Sequence, residues 1–242
     1  MKKLYEKSEI TFAIVWIVIY CIVIGNLRGT FGDASPWPLL GLAVLTAVIA
    51  LFIAKNGLAK KYGLSAWPSD QKRYLWFIPM WILTTGNLWG GVHANYSGMG
   101  LVCGILSMAL VGYLEEVIFR GFLFRAMLKD GNTKTAVIVT AATFGIGHIV
   151  NLLTGQSSLE TLVQIPFAIA WGFIFTFVAW KSGSLLPCIV SHSLIDIFAN
   201  FAVDTPLTAW GYVGAAIVIA AVYCIYLSRL EENEELGIRN EK

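Results

Sequence analysis

A few ionisable side chains lie within otherwise apolar stretches of this sequence. They occupy three separate stretches and are Glu115, Glu116, Arg120, His148, His192 and Asp196. A carboxylate and a histidine can together position and deprotonate a water molecule. A second histidine can stabilise the oxyanion that forms when a carbonyl is attacked. These residue types therefore predict hydrolysis of an amide bond without a covalent intermediate.

The spacing of these residues suggests distinct roles. Glu116 and Arg120 are four residues apart, so they share a helix face and can form an ion pair. Glu115 is rotated by about 100° from Glu116 and is left to face a cavity. The same four-residue spacing recurs in two further groups, Phe144 with His148 and His192 with Asp196 and Asn200.

Motifs of other membrane hydrolases are missing from the sequence. There is no HExxH pattern for a zinc helix and no GxSxG pattern for a nucleophilic serine. Asp196 is the only aspartate within an apolar stretch, so a pair of catalytic aspartates is also excluded.

The composition indicates that these residues lie within a membrane. The chain has 242 residues, of which 57% are hydrophobic and 13% charged, and its mean hydropathy is +0.70. Soluble domains carry about 25% charged residues, so the apolar surface of this chain requires lipid. A net charge of +2 provides no basic groove and excludes a nucleic-acid binder. The four cysteines lie in apolar runs without CxxC spacing, which excludes a disulfide scaffold.

Hydrophobic runs predict an all-α, polytopic protein that forms one eight-helix domain over residues 1–242. The predicted spans are Ile10–Leu27, Trp37–Ala54, Tyr74–Trp89, Leu101–Phe124, Ala136–Leu153, Leu159–Trp180, Leu185–Ala202 and Thr208–Leu227. With these spans, all 17 lysine and arginine residues except Arg28 fall on one side of the membrane. Basic residues concentrate in cytoplasmic loops, so both termini are predicted to be cytoplasmic.

The depth of the polar residues predicts that they share one cavity. A helix rises about 1.5 Å per residue, so Glu115, His148 and His192 each lie roughly 15 to 21 Å from the lysine or arginine beyond the cytoplasmic end of their stretch. Ionisable residues in membrane spans mark functional sites by default. Their common depth favours a single site over scattered structural residues.

These motifs resemble the CPBP family, the CAAX proteases and bacteriocin-processing enzymes. The residues that carry the resemblance are EExxxR from Glu115 to Arg120, FxxxH from Phe144 to His148, and HxxxD from His192 to Asp196. The resemblance implies an intramembrane glutamic endopeptidase without a cofactor, in an eight-helix bundle whose cavity opens toward the cytoplasm or the lipid. It implies that Glu115 and His148 activate water and that His192 and Asp196 form the oxyanion site. Glu116 and Arg120 would support them.

Asp196 occupies a position where the family carries asparagine or aspartate, and three roles are open. A protonated Asp196 would donate to the oxyanion directly. An ionised Asp196 would instead orient His192, the role we favour. In the third case, Asn200 would contribute the donor from the next turn.

The expected substrate is a peptide or protein in or at the lipid bilayer. The chain resembles bacterial members, which implies the bacterial cytoplasmic membrane and a role in maturing peptide pheromones or bacteriocins, or in immunity to bacteriocins. One alternative is a zinc metallohydrolase with Glu115, His148, His192 and Asp196 as ligands. The other is a non-catalytic protein, either a scaffold for a membrane sensor or a transporter.

Overall fold

The computed structural model describes residues 1–68, 77–129, 131–203 and 205–230. The α-helices of this part of the chain are α1 (Lys2–Lys7), α2 (Glu9–Phe31), α3 (Pro36–Lys55), α4 (Ile78–Thr84), α5 (Gly98–Glu116), α6 (Arg125–Leu128), α7 (Thr133–Gly147), α8 (Ser158–Ser182), α9 (Leu186–Ala199) and α10 (Pro206–Ser228). A π-helical segment, Val117–Phe124, joins α5 to α6. Short 3₁₀ helices cover Gly86–Leu88 and His148–Thr154.

Among the described residues, six helical segments are long and apolar enough to cross a membrane. They are Glu9–Phe31, Pro36–Lys55, Gly98–Leu128, Thr133–Leu152, Ser158–Ser182 and Leu207–Ser228. The chain is therefore an all-helical, multi-pass membrane protein. This confirms the predicted fold class, whereas the count of eight spans and the sidedness of the termini stay predictions.

The other two predicted spans differ from single long helices. The first residues of the predicted span Tyr74–Trp89 lie outside the described residues, and the rest forms the seven-residue α4 and a 3₁₀ turn. The predicted span Leu185–Ala202 contains α9, which has only 14 residues. At about 1.5 Å per residue α9 is roughly 21 Å long, less than the thickness of a bilayer core of about 30 Å.

Polar side chains fix where several helices begin. The Ser8 hydroxyl accepts a hydrogen bond from the Thr11 amide at the start of α2. Ser157 and Glu160 form a reciprocal capping box at the start of α8, which accounts for a glutamate next to an apolar run. These caps satisfy backbone donors that the first helical turn leaves without partners.

Small residues allow the site-bearing helices to approach closely. A Cβ atom at Gly112 of α5 would lie 2.6 Å from the backbone nitrogen of Ser193 in α9. A Cβ atom at Gly172 of α8 would lie 2.9 Å from the carbonyl oxygen of Ala141 in α7. Such close contacts are typical of helix packing in membranes, where van der Waals contact replaces the hydrophobic effect.

The end of the bundle that carries most lysines is tied together by Glu9. The Glu9 carboxylate lies 2.6 Å from Lys61 Nζ and also accepts from Lys129. The hydrogen bond to Glu9 raises the pKa of Lys129. These contacts join the start of α2 to the segment after α3 and to the end of α6.

Candidate active site

The predicted site residues come from three regions that meet around one cavity of about 340 Å³. Glu115 and Glu116 end α5, Arg120 lies in the π-helical segment, His148 follows α7, and α9 carries His192 and Asp196. The predicted residues that line the cavity are Glu115, Phe144, His148, His192, Asp196 and Asn200. Glu116 and Arg120 lie behind this surface and are fully buried.

Glu116 links two of the predicted groups. Its Oε1 atom accepts a hydrogen bond from Arg120 Nη1 at 2.9 Å and lies 2.7 Å from His192 Nδ1. Arg120 also donates to the carbonyl oxygen of Gly172 at 3.3 Å and stacks over the ring of Phe144 at 4.2 Å. A buried carboxylate is tolerated because it has a charged partner and hydrogen bonds. The Glu116 carboxylate therefore contacts Arg120 and His192 and does not line the cavity.

Glu115 points into the cavity and is held from α2. Its Oε1 atom accepts a hydrogen bond from the hydroxyl of Tyr20 at 2.7 Å, and its Oε2 atom lies 3.6 Å from His192 Nε2. The Glu115 side chain retains 13% exposure, whereas that of Glu116 has none. Of the two adjacent glutamates, Glu115 is the one that can reach a bound molecule.

The tautomer of His148 follows from its backbone contact. His148 Nδ1 lies 3.0 Å from the carbonyl oxygen of Phe144, one turn earlier. A carbonyl oxygen only accepts, so Nδ1 carries the proton and Nε2 of the neutral ring holds the lone pair. His148 therefore offers an acceptor nitrogen at the cavity that Glu115 also lines. Its ring packs edge-on against Phe144, with centroids 5.2 Å apart.

His192 is surrounded by carboxylates. Nδ1 faces Glu116, while Nε2 lies 3.6 Å from Glu115 Oε2 and 3.5 Å from Asp196 Oδ2. Ionised carboxylates only accept hydrogen bonds, so these contacts favour the imidazolium, in which both nitrogens donate. The ring also stacks on Phe175, with centroids 5.4 Å apart and an interplanar angle of 23°. Its orientation is therefore set by Glu116 and Phe175, and Asp196 lies beside Nε2.

Asn200 lies at the edge of the cavity with its amide group engaged elsewhere. Its Nδ2 atom donates to the backbone carbonyl oxygens of Asp196 and Ile197, both at 3.2 Å. The two amide hydrogens are thus directed at its own helix. In this arrangement Asn200 does not direct a donor toward His192.

A comparison with known protein families finds a similarity over the central part of the chain. Residues 98–198 match the family model described as Type II CAAX prenyl endopeptidase Rce1-like, and this range contains all three motifs. This similarity supports membership of the CPBP family. CPBP proteins of this kind are proteases, which supports peptidase activity at the membrane. No curated protein and no solved structure matches the chain.

Several polar residues that line this cavity were not predicted from the sequence. Tyr20 carries no charge and stands alone in an apolar run, so no motif marked it. The others are Arg28, Asp33, Asn95, Asn151, Gln156 and Gln164. Gln164 could have been predicted as a cavity residue, because it is a polar residue inside the predicted span Leu159–Trp180.

The described residues contain no group of three or more histidine, cysteine, aspartate or glutamate side chains arranged to hold a metal ion. Two of the four residues considered as zinc ligands make other contacts. His148 Nδ1 contacts a backbone carbonyl, and Glu115 accepts from Tyr20. All four side chains nevertheless line the cavity.

Proposed function

We propose that this protein is an intramembrane glutamic endopeptidase, in which water activated by Glu115 and His148 cleaves a peptide bond. One observation carries the proposal. Glu115, His148 and His192 come from three separate parts of the chain and line the same cavity, with Glu115 held by Tyr20. A scattered set of structural residues has no reason to converge in this way.

In the proposed reaction, the attacking water donates one hydrogen bond to the Glu115 carboxylate and the other to Nε2 of His148. Its oxygen attacks the scissile carbonyl carbon while Glu115 takes one proton. The negative charge that develops on the carbonyl oxygen is stabilised by the N–H of His192. Glu115 then delivers its proton to the departing amide nitrogen as the C–N bond breaks. Two products form without a covalent intermediate, an amine and a carboxylic acid, and the acid then releases its proton to solvent and becomes a carboxylate.

In this proposal Asp196 stabilises the charged form of His192 and does not itself donate a hydrogen bond to the oxyanion. Its carboxylate lies 3.5 Å from His192 Nε2, the nitrogen that must donate. An anion beside that nitrogen stabilises the imidazolium before the carbonyl is attacked.

The proposed substrate is a membrane-associated peptide or protein, and the proposed location is the bacterial cytoplasmic membrane. A role in pheromone or bacteriocin maturation, or in immunity to bacteriocins, is carried over from the family resemblance.

The experiment compares peptides from membranes of cells that express the wild-type protein or the Glu115→Gln variant. Glutamine keeps the shape of the side chain but cannot accept the proton of water. We expect a defined set of cleavage products that is present with the wild type and lost with Glu115→Gln. Glu6→Gln is the matched control, because Glu6 is exposed at the end of the bundle remote from the cavity and should leave the products unchanged.

Identical peptide profiles for the wild type and Glu115→Gln, at equal protein levels in the membrane, would refute the proposal. A set of products that disappears on addition of a chelator and returns with zinc would favour the metallohydrolase instead.

A further inference from the structure

Within the described part of the chain, the residues that line the cavity extend from the site toward one end of the bundle. We call this outer part the vestibule and define it by Arg28, Asp33, Asn95, Tyr96 and Gln156, all of which line the cavity. These residues lie at the end of α2, just after α2, in the loop before α5 and in the loop before α8. All four segments meet at the same end of the bundle.

The opposite end of the site is closed by an aromatic cluster. The ring of Phe122, in the π-helical segment beyond Glu116, contacts Phe12 at 5.1 Å and Tyr62 at 5.2 Å between centroids. Phe12 in turn contacts Phe52 at 4.9 Å. Phe12, Tyr62 and Phe122 are each at most 2% exposed. A polypeptide therefore cannot reach Glu115 from this end without displacing packed rings.

The closed end is the one that carries the basic residues. Lys61 and Lys129 bind Glu9 there, next to the aromatic cluster. Among the described residues that line the vestibule, Arg28 is the one basic residue. It is neutralised by Asp33, whose two carboxylate oxygens lie 2.5 and 2.9 Å from its guanidinium nitrogens. Because cytoplasmic ends of membrane proteins carry the excess of lysine and arginine, the vestibule end is predicted to face away from the cytoplasm. This orientation differs from the opening toward the cytoplasm or the lipid that the family resemblance implies.

Carboxamide side chains dominate the polar surface between the vestibule and the site. Gln164 Oε1 accepts from Asn151 Nδ2 at 2.8 Å and from Gln156 Nε2 at 2.9 Å, and Asn95 lies at the vestibule. Carboxamides both donate and accept without a net charge, which matches the alternating donors and acceptors of a polypeptide backbone. They offer no counterion for a phosphate headgroup and no apolar groove for a long lipid chain.

We propose that the substrate reaches Glu115 through the vestibule, as a polypeptide segment on the non-cytoplasmic side of the membrane. This inference rests on the proposed function and adds the side from which the substrate comes and its chemical class. Substrates are then the outward-facing segments of membrane-anchored or secreted peptides. Cytoplasmic C-terminal tails cannot reach the site by this route.

The geometry is tested first by thiol labelling, which requires no activity. In a chain whose four native cysteines are replaced by alanine, Tyr96→Cys places a thiol at the vestibule, and Lys60→Cys places one at the basic end. Both positions are exposed. A membrane-impermeant maleimide is added to sealed right-side-out vesicles. We expect at least tenfold more labelling at position 96 than at position 60, with equal labelling after permeabilisation. The reverse order would overturn the proposed side of access.

The second measurement uses the unmodified chain and therefore does not depend on the cysteine replacements. Cleavage sites that are present with the wild type and absent with Glu115→Gln are mapped onto the topology of each substrate. Sites on outward-facing segments support the inference, and sites on cytoplasmic segments overturn it while leaving the proposed function intact. If no site depends on Glu115, the proposed function itself fails, so the two failures are distinguishable.

Discussion

The buried carboxylate of Glu116 connects Arg120 to His192, one of the proposed catalytic residues. It is fully buried, yet it contacts Arg120 on its own helical segment and His192 on α9 through the same oxygen atom. Removing one partner of a buried ion pair leaves an uncompensated charge in a medium of low polarity. This typically costs about 3 to 5 kcal/mol, far more than the net gain from forming the pair.

Replacement of Arg120 tests this arrangement. Arg120→Met leaves Glu116 without its guanidinium partner, so we expect a large loss of thermal stability in detergent, corresponding to about 3 kcal/mol or more. The double variant Arg120→Met/Glu116→Gln removes both charges and should recover most of that stability. Melting of the purified proteins measures both effects. A single variant that melts like the wild type would show that the pair does not hold the site together.

Tyr20 positions Glu115 from a different helix. Its hydroxyl donates to the Glu115 oxygen at 2.7 Å, and the side chain is only 7% exposed. A hydrogen bond to a charged group is worth about 1.5 to 3 kcal/mol. Because this bond fixes the orientation of the proposed general base, its loss should affect the rate of the chemical step more than the binding of substrate.

Tyr20→Phe should therefore lower kcat by about tenfold or more, with KM little changed. Tyr62→Phe is the matched control. It also removes one hydroxyl from a buried tyrosine, but at the closed end of the bundle, where Tyr62 donates to Tyr5. Steady-state kinetics on a cleaved peptide provide the test. Equal effects of the two substitutions, or an effect on KM alone, would argue against the positioning role.

The helices α5 and α9 must touch for the site to exist, because they carry Glu115 and His192. They pack closely at Gly112, one turn before Glu115 and Glu116, and at Ser193, the residue after His192. No side chain fits there without moving one helix. The spacing of the helices that carry Glu115 and His192 therefore depends on a glycine that has no proposed chemical role of its own.

Gly112→Ala should consequently lower both stability and activity. The added methyl group would lie 2.4 Å from the Ser193 hydroxyl oxygen and 2.6 Å from its backbone nitrogen, so α9 must shift. Overpacking of this kind costs about 1 to 3 kcal/mol. Gly214→Ala in α10 is the control, since its Cβ would meet no atom within 4 Å. Thermal melting and peptide cleavage are measured for both, and normal activity in Gly112→Ala would contradict the packing argument.

Sequence spacing predicted the local contacts of the site but not the contacts between distant segments. The four-residue spacing predicted the Glu116–Arg120 pair, and the structure contains it. The Tyr20–Glu115 bond joins residues 95 positions apart, and no periodicity within one helix encodes it. The sequence also could not show that His192 is oriented by Glu116, because that bond spans 76 positions.

Helix boundaries were likewise predictable where they depend on the run itself, and not where a segment distant in sequence makes contact. Most long apolar runs became helices close to the predicted bounds, because hydropathy and helix length are properties of the run itself. The run from Leu185 to Ala202 ends its helix early, at Ala199. There, the backbone amides of His93 and Asn95 pair with the carbonyl oxygens of Phe201 and Asn200. Hydropathy cannot detect such a contact with a loop that is more than a hundred residues away.

At the scale of the whole molecule, the two ends of the bundle are chemically different. The closed end combines the aromatic cluster with the lysines that bind Glu9. The vestibule end exposes Trp37, Trp89 and Trp210, each at least 45% accessible. Exposed tryptophans are enriched at the membrane–water interface, so this end is expected to lie at a bilayer surface.

The predicted sidedness can be measured with epitopes at the two ends of the chain. Both epitopes should resist a protease added outside sealed right-side-out vesicles and become sensitive after permeabilisation, since both termini are predicted to be cytoplasmic. An epitope inserted after Ala34, in the loop between α2 and α3, should be cleaved without permeabilisation. Termini on opposite sides would require an odd number of crossings and would refute the eight-span prediction.

The most direct test of the central claim is the turnover of purified protein in lipid vesicles with a peptide identified by the membrane comparison. The wild type should cleave it, and Glu115→Gln should lower kcat by at least a hundredfold while binding the peptide and melting like the wild type. Cleavage by Glu115→Gln at the wild-type rate would contradict the claim that this carboxylate activates the attacking water.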